Sequence, residues 1–233
     1  MGLFELQPWE RLAKKITWVQ LGDIKGKKIL DFGSGLGITA NHLAIHNDVV
    51  AIEPCEETIN NRYCDNAYTQ ICGDIKSLTQ FENQFFDVII CHNVFEYARE
   101  RKDIIKEFSR LLKNDGFISI IKHNVPGRVM QMVVLLNDFE HAEKLLKGEN
   151  GKTESADLIH YYDDTDIEKW CNHLKIDKKM GLRTFWDLQQ NQEIQKDLEW
   201  QRKMIEMELK VSEVREYQDI AFFSHLILKR KKV

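Results

Sequence analysis

Three glycines at every second position, Gly33, Gly35 and Gly37, follow the apolar run Ile29-Leu30-Asp31-Phe32. The run reads as a buried parallel strand, and Ile38 to Ala44 resumes with helical spacing, so the glycines form a strand-to-helix turn. Such a turn exposes backbone N–H groups, and without Cβ atoms a ligand can approach the main chain closely. A dinucleotide fingerprint needs a third glycine at the position of Ile38, and it would set Asp31 beside a pyrophosphate. An acid at Asp31 suits instead a cationic ligand bearing an ammonium group, reached directly or through water. Taken alone, the glycines also fit a purely structural turn.

Further residues of chemical interest fall at the ends of apolar runs. Glu53 closes Asp48-Val49-Val50-Ala51-Ile52-Glu53-Pro54, about 20 residues beyond the glycines, where an acid accepts from both ribose hydroxyls. Its other reading is a helix-capping acid before Glu56–Asn66. His92 ends the strongest strand, Phe85–Asn93, and His123 follows the strand Phe117–Lys122. Both belong at the carboxyl edge of a sheet, where each is a candidate general base or a core histidine. Tyr161, Tyr162 and Arg183 either shape an acceptor pocket or pack.

These residues need a scaffold, and the chain supplies alternating elements. Pro8 to Leu21 carries Trp9, Leu12, Ile16 and Val19 at amphipathic spacing. Arg11, Lys14 and Lys15 on that helix form either a solvated basic face or a partner for a ligand carboxylate. Strands at Lys28–Phe32, Asp48–Glu53, Gln70–Ile75, Phe85–Asn93 and Phe117–Lys122 alternate with helices at Ile38–His46, Glu56–Asn66 and Asp103–Leu112, so a doubly wound α/β sheet is the natural solution. Beyond His123 the spacing predicts one or two helices over Val129–Leu146 and a helix at Asp166–Leu174 with a Thr165–Glu168 capping box. A strand at Lys178–Phe185, a long helix over Trp186–Val214 and a last strand at Ile220–Leu228 follow, giving seven strands with helical cap insertions at 124–175 and 186–215. The whole reads as one domain, residues 1–123 as ligand-binding core and 124–233 as cap helices plus two strands.

At 233 residues, 43% hydrophobic and 30% charged, the chain is sized for one substantial core. No apolar run approaches the roughly 20 residues of a membrane span. Five scattered cysteines without a C-x-x-C pair read as reduced thiols and give no metal site, which with an acidic N-terminus points to the cytoplasm. A net charge of −4 disfavours broad nucleic-acid binding, while Lys229-Arg230-Lys231-Lys232 reads as a solvated tail or a local RNA contact.

The pattern hydrophobic-Asp31-x-Gly33-x-Gly35-x-Gly37 resembles the first motif of class I S-adenosylmethionine-dependent methyltransferases, and Leu111-Leu112-Lys113-x-x-Gly116-Phe117 resembles the segment after their fourth strand. The resemblance implies a Rossmann-like methyltransferase fold with S-adenosylmethionine as cofactor. It puts Asp31, Gly33, Ser34 and Gly35 at the methionine and ribose side and Glu53 on the ribose. It further implies Asp74 on the adenine amine, which alone would read as a turn, Ile75 as an apolar wall and His92 near the reacting centre. His92-Asn93-Val94-Phe95 lacks the Asn/Asp-Pro-Pro-aromatic signature of exocyclic-amine acceptors. Cys55 follows Pro54 on the wrong strand for carbon methylation, so oxygen remains as acceptor. A hydroxyl then needs a base, whereas a carboxylate needs only orientation.

Cys91-His92-Asn93-Val94-Phe95-Glu96-Tyr97 is similar to the His-x-Val-Leu-Glu-Trp stretch of bacterial tRNA wobble-uridine 5-carboxymethoxy methyltransferases, with Tyr97 in place of tryptophan and Ser34 in place of glycine. Asn124-x-x-Gly127 and Asn137-Asp138-Phe139 recur there in similar order. The resemblance implies a tRNA carboxylate as acceptor; the sequence leaves the oligomeric state open, with a monomer favoured. A small-molecule acceptor and a non-catalytic methyltransferase-like binding protein are the alternatives.

Overall fold

The computed structural model describes residues 6–152 and 158–231. Helix α1 (Pro8–Leu21) starts where Pro8 presets the first turn and Glu10 Oε2 accepts from Gln7 N at 3.1 Å. The chain continues through β1 (Lys28–Phe32), α2 (Ile38–Leu43), β2 (Asp48–Glu53), α3 (Glu56–Asn60) and β3 (Thr69–Cys72). A 3₁₀ turn at Ile75–Gln80 leads to β4 (Phe86–His92), α4 (Arg101–Leu111) and β5 (Leu112–His123). Then come α5 (Val125–Val134), α6 (Phe139–Leu146), the short strands β6 (Gly151–Lys152) and β7 (Leu158–Ile159), α7 (Asp164–Trp170) and β8 (Leu174–Leu182). After 3₁₀ turns at Trp186–Leu188 and Glu193–Lys196, α8 (Leu198–Val211), α9 (Arg215–Gln218) and β9 (Phe223–Arg230) complete the fold.

Seven strands form one sheet in the order β3-β2-β1-β4-β5-β9-β8. The pairs β1–β2, β2–β3, β1–β4 and β4–β5 are parallel. From β1 the chain builds outward to β3 and then returns to the other side at β4. That reversal makes a switch point between the carboxyl ends of β1 and β4, where open α/β sheets bind ligands. Strand β8 closes one rim, with Lys175 and Lys178 exposed along it.

The chain divides into two compact units. One comprises Asp23–Ile121, Tyr162–Lys178 and the end of the chain from Leu226. Its core sets Leu30, Phe32, Ile89, Cys91, Ile118 and Ile120 of the sheet against Ile104, Ile105 and Phe108 of α4 and Ile167 of α7. Phe108 meets Phe32 edge-to-face at 5.4 Å between ring centres. The other unit comprises the chain up to Gly22, Lys122–Tyr161 and Lys179–His225. There Met132, Ala142 and Leu145 join α5 to α6.

Several elements depart from the spacing-based expectations. Helix α3 stops at Asn60 instead of Asn66 because Tyr63 N donates to Leu36 O at 2.8 Å and Asn66 N to Asn41 Oδ1 at 2.8 Å, pulling the chain onto α2. The span Lys113–Gly116 belongs to β5, with an irregular register between Phe86 and Val88. Helix α7 is capped by Asp163 and Asp166 rather than Thr165 and Glu168; Glu168 Oε1 accepts from Ile176 N at 2.9 Å. The long helix expected over Trp186–Val214 begins only at Leu198, where Asp197 accepts from Trp200 N at 2.7 Å.

Candidate functional site

The glycine turn is tied to its neighbouring strand: Gly33 N and Ser34 N both donate to Ile52 O, at 2.8 and 3.0 Å. Gly33, Gly35 and Gly37 all take positive φ, 73°, 54° and 69°, a conformation that costs any other residue energy. The three differ in what surrounds them. A Cβ on Gly33 would lie 2.3 Å from Val94 Cγ2, and one on Gly37 would lie 2.2 Å from the Tyr68 hydroxyl. That hydroxyl is held in place by donating to Tyr63 O at 2.6 Å. A Cβ on Gly35 would meet nothing within 4 Å. The outer glycines are therefore packed by protein, and the middle one faces open space that a ligand can enter.

A substitution pair separates these roles. Gly33→Ala adds left-handed strain to the overlap with Val94 and should lower unfolding free energy by about 2–3 kcal/mol, partly restored by Val94→Ala. Gly35→Ala adds only strain and should cost about 1 kcal/mol. Chemical denaturation of the three variants measures the difference.

Glu53 ends β2 half-buried beside this opening. Its Oε2 accepts from Gly35 N at 2.9 Å and its Oε1 from Cys55 N at 3.1 Å. The carboxylate is thus fixed against the turn, and each oxygen keeps a second lone pair for a ligand hydroxyl. Asp74 is exposed and caps the following 3₁₀ turn, its Oδ1 accepting from Lys76 N at 2.8 Å, while Ile75 lies against the core of the same unit.

Parallel register sets Asp31 of β1 beside Ile90 of β4, and Ile90 beside Ser119 of β5, one row near the strand tips. Asp31 is buried, 3% exposed, and its charge adds to the burial that pushes the Cys91 thiol up. His92, the last residue of β4, has Nε2 2.8 Å from Ser119 Oγ. His123 ends β5 in the other unit and lies against the rings of Phe222 and Phe223, at 5.6 and 4.8 Å.

The remaining candidates pack. Tyr162 is buried between Phe95 and Trp170, with the Arg101 guanidinium 5.6 Å from its ring centre; burial first, then the Glu96 and Cys91 charges, pushes its hydroxyl well up. Tyr161 lies over Gly151. Arg183 is buried in an ion pair with Asp187 and stacks on Trp9 and Phe222. Arg11 is buried with its guanidinium donating to Gln201 Oε1 at 2.8 Å, so it belongs to neither of the roles expected for it; Lys14 is half-buried and Lys15 exposed.

In the terminal basic run, Lys229 pairs with Asp177 at 2.7 Å, Arg230 donates to Leu112 O and Ser109 O, and Lys231 lies 3.9 Å from Glu168. The run lies at the end of strand β9, with the Lys229 and Lys231 side chains exposed to solvent and Lys232 outside the described residues. Residues that the spacing did not single out are Val94, Tyr68 and Ser119, whose roles depend on neighbours distant in sequence. All five cysteines are free thiols, and the described residues hold no cluster of His, Cys, Asp or Glu suited to a metal ion. Among them no helix is long and apolar enough to cross a membrane.

Residues 30–120 match the family described as a methyltransferase domain. A ubiquinone biosynthesis O-methyltransferase of Coxiella burnetii is 32% identical over 156 residues, 64% of this chain and 62% of that protein. One from Neisseria meningitidis is 29% identical over 135 residues, 54% of each chain. The match thus spans less than two thirds of either relative. An S-adenosylmethionine-dependent methyltransferase structure from Mesorhizobium loti superposes with a TM-score of 0.57 at 13% identity, covering 99% of this chain and 100% of that one. The fold is the Rossmann-like methyltransferase fold.

Proposed function

We propose, from the premise that residues 30–120 match a methyltransferase domain, that this protein uses S-adenosylmethionine to methylate an oxygen atom of a small-molecule acceptor. The observation that carries the reading is the pairing of an open face at Gly35 with a carboxylate already clamped to that residue's N–H. The residues fit the cofactor. Ser34 Oγ is buried with no hydrogen-bond partner among the described residues, a group that a polar ligand at the turn would satisfy. Glu53 retains acceptor capacity for two ribose hydroxyls, and the buried Asp31 offers negative charge toward an ammonium group.

S-adenosylmethionine supplies an electrophilic methyl on a sulfonium when bound. Around it the backbone of Gly33, Ser34 and Gly35 borders the methionine and ribose portions. Glu53 would hold the sugar, Asp74 and Ile75 would border the adenine, and His92 would lie near the reacting centre. Transfer is an in-line displacement, so these groups act mainly by orientation. The free thiols support a reducing compartment, the cytoplasm.

An oxygen acceptor is supported by the names of the curated relatives, which are O-methyltransferases. A small molecule is favoured because each described cation of the terminal basic run already has an acid or carbonyl partner. A tRNA wobble carboxylate is the second reading, carried by the sequence of residues 91–97.

Calorimetry with S-adenosylhomocysteine should give saturable one-to-one binding, and titration with NADH should give no fluorescence change. Absence of S-adenosylhomocysteine binding overturns the cofactor assignment. Mass spectrometry of tRNA nucleosides from a deletion strain should show an unaltered wobble profile; loss of a methyl ester there moves the acceptor to tRNA.

A further inference from the structure

We propose that Ser119 is a positioning residue for the reacting centre, fixing the ring rotation of His92 by engaging its Nε2; this rests on the reading that His92 borders that centre. The β4–β5 register pairs Ile90 with Ser119 and His92 with Ile121. Ser119 and His92 therefore project from the same face of adjacent strands, one pleat apart. Their side chains meet there, Oγ to Nε2 at 2.8 Å.

Ser119 is fully buried, 0% exposed, between Ile118 and Ile120 in the middle of a central strand. Packing alone calls for an apolar residue at such a point, because a hydroxyl taken out of water costs free energy unless it is bonded. The backbone of His92 is also held at its end. Asn93 takes a left-handed conformation, φ 56°, and donates from its N to Ile121 O at 2.8 Å. Main chain and side chain of His92 are thus both anchored to β5, the second through Ser119.

A serine hydroxyl donates and accepts, so it meets Nε2 in either neutral form of the ring. In both forms Nε2 is committed to Ser119, and Nδ1 is the nitrogen with which the ring addresses its other neighbours. His92 then serves by orientation and polarity and takes no proton through Nε2.

The test uses the full chain, isotope-labelled at the histidine ring nitrogens, with S-adenosylhomocysteine as the probe. S119A should shift the His92 ring nitrogen signals and weaken binding about fivefold, the scale of one buried hydrogen bond. S119T and S119V have the same bulk and differ in the hydroxyl, so the first should keep the wild-type signals and the second should not. In a H92A background, S119A should change affinity by less than about twofold, because a residue acting through another loses its effect with it. Unchanged ring signals in S119A and S119V, or an undiminished affinity loss in H92A, overturns the proposal. Failure of the unaltered protein to bind the probe sinks the methyltransferase reading instead, while the ring signals still decide the Ser119–His92 contact.

Discussion

Glu53→Ala should weaken S-adenosylhomocysteine binding by about 2–3 kcal/mol, roughly 30- to 150-fold by calorimetry. Two losses combine. On the proposed role of this half-buried side chain, the ribose hydroxyls lose their acceptor, which leaves polar ligand groups unsatisfied. The turn also loses its brace, since Gly35 N and Cys55 N both donate to this carboxylate. Glu53→Gln keeps one acceptor oxygen but points an amide N–H₂ at the other donor, so its loss should be intermediate. An unchanged affinity in the alanine variant rules out ribose contact at this residue.

Glu208→Ala should lower unfolding free energy by about 3–5 kcal/mol, measured in urea. Glu208 is 1% exposed on α8. Its oxygens accept from the backbone N–H groups of Thr184 at 2.7 Å, Phe185 at 2.9 Å and Trp186 at 3.1 Å. Truncation strands three donors in or near the interior, each worth about 1–3 kcal/mol, less their mutual overlap. Glu208→Gln should recover part of the loss, because one oxygen still receives Phe185 and Trp186. Burial raises the Glu208 carboxyl above its ordinary 4.5, against the three N–H groups. The proton linkage of this residue therefore favours the folded state below pH 4.5, and that contribution fades as pH climbs through the raised value. A ΔG profile that is steeper in the wild type than in Glu208→Gln across this window is the expected result.

The parts of the fold that could be read from sequence are those made by local rules. Helix α1 runs over Pro8–Leu21 as its apolar spacing requires, because Pro8, Glu10 and Leu12 act within a few residues of one another. Strands β1, β2 and β4 followed from apolar runs with chain-breaking ends, and the glycine turn from residue type. What escaped was decided by partners far along the chain. Trp186–Lys196 has helical composition, yet Glu208 draws the N–H groups of 184–186 to itself and Arg183 captures Asp187, so the segment folds as separate 3₁₀ turns. Helix α3 was overestimated because Tyr63 bonds Leu36, a contact spanning 27 residues that no periodicity encodes. In the proposed site Gly33, Gly35 and Glu53 are the residues that type and spacing single out, and the structure brings them together at one turn. Ser119 and Val94 do not, since a serine in an apolar strand or a valine after one carries no local mark.

The exposed lysines on β8 bear on how the protein behaves in a crowded solution. A terminal strand is where a second polypeptide can extend the ladder, and on β8 side chains already take part of the backbone, Glu168 accepting from Ile176 N and Gln218 donating to Lys179 O. Lys175 and Lys178 put like charge on any approaching identical rim and make that extension unfavourable. Replacing both with valine would turn this rim into a seed for aggregation without touching the crevice at Gly35.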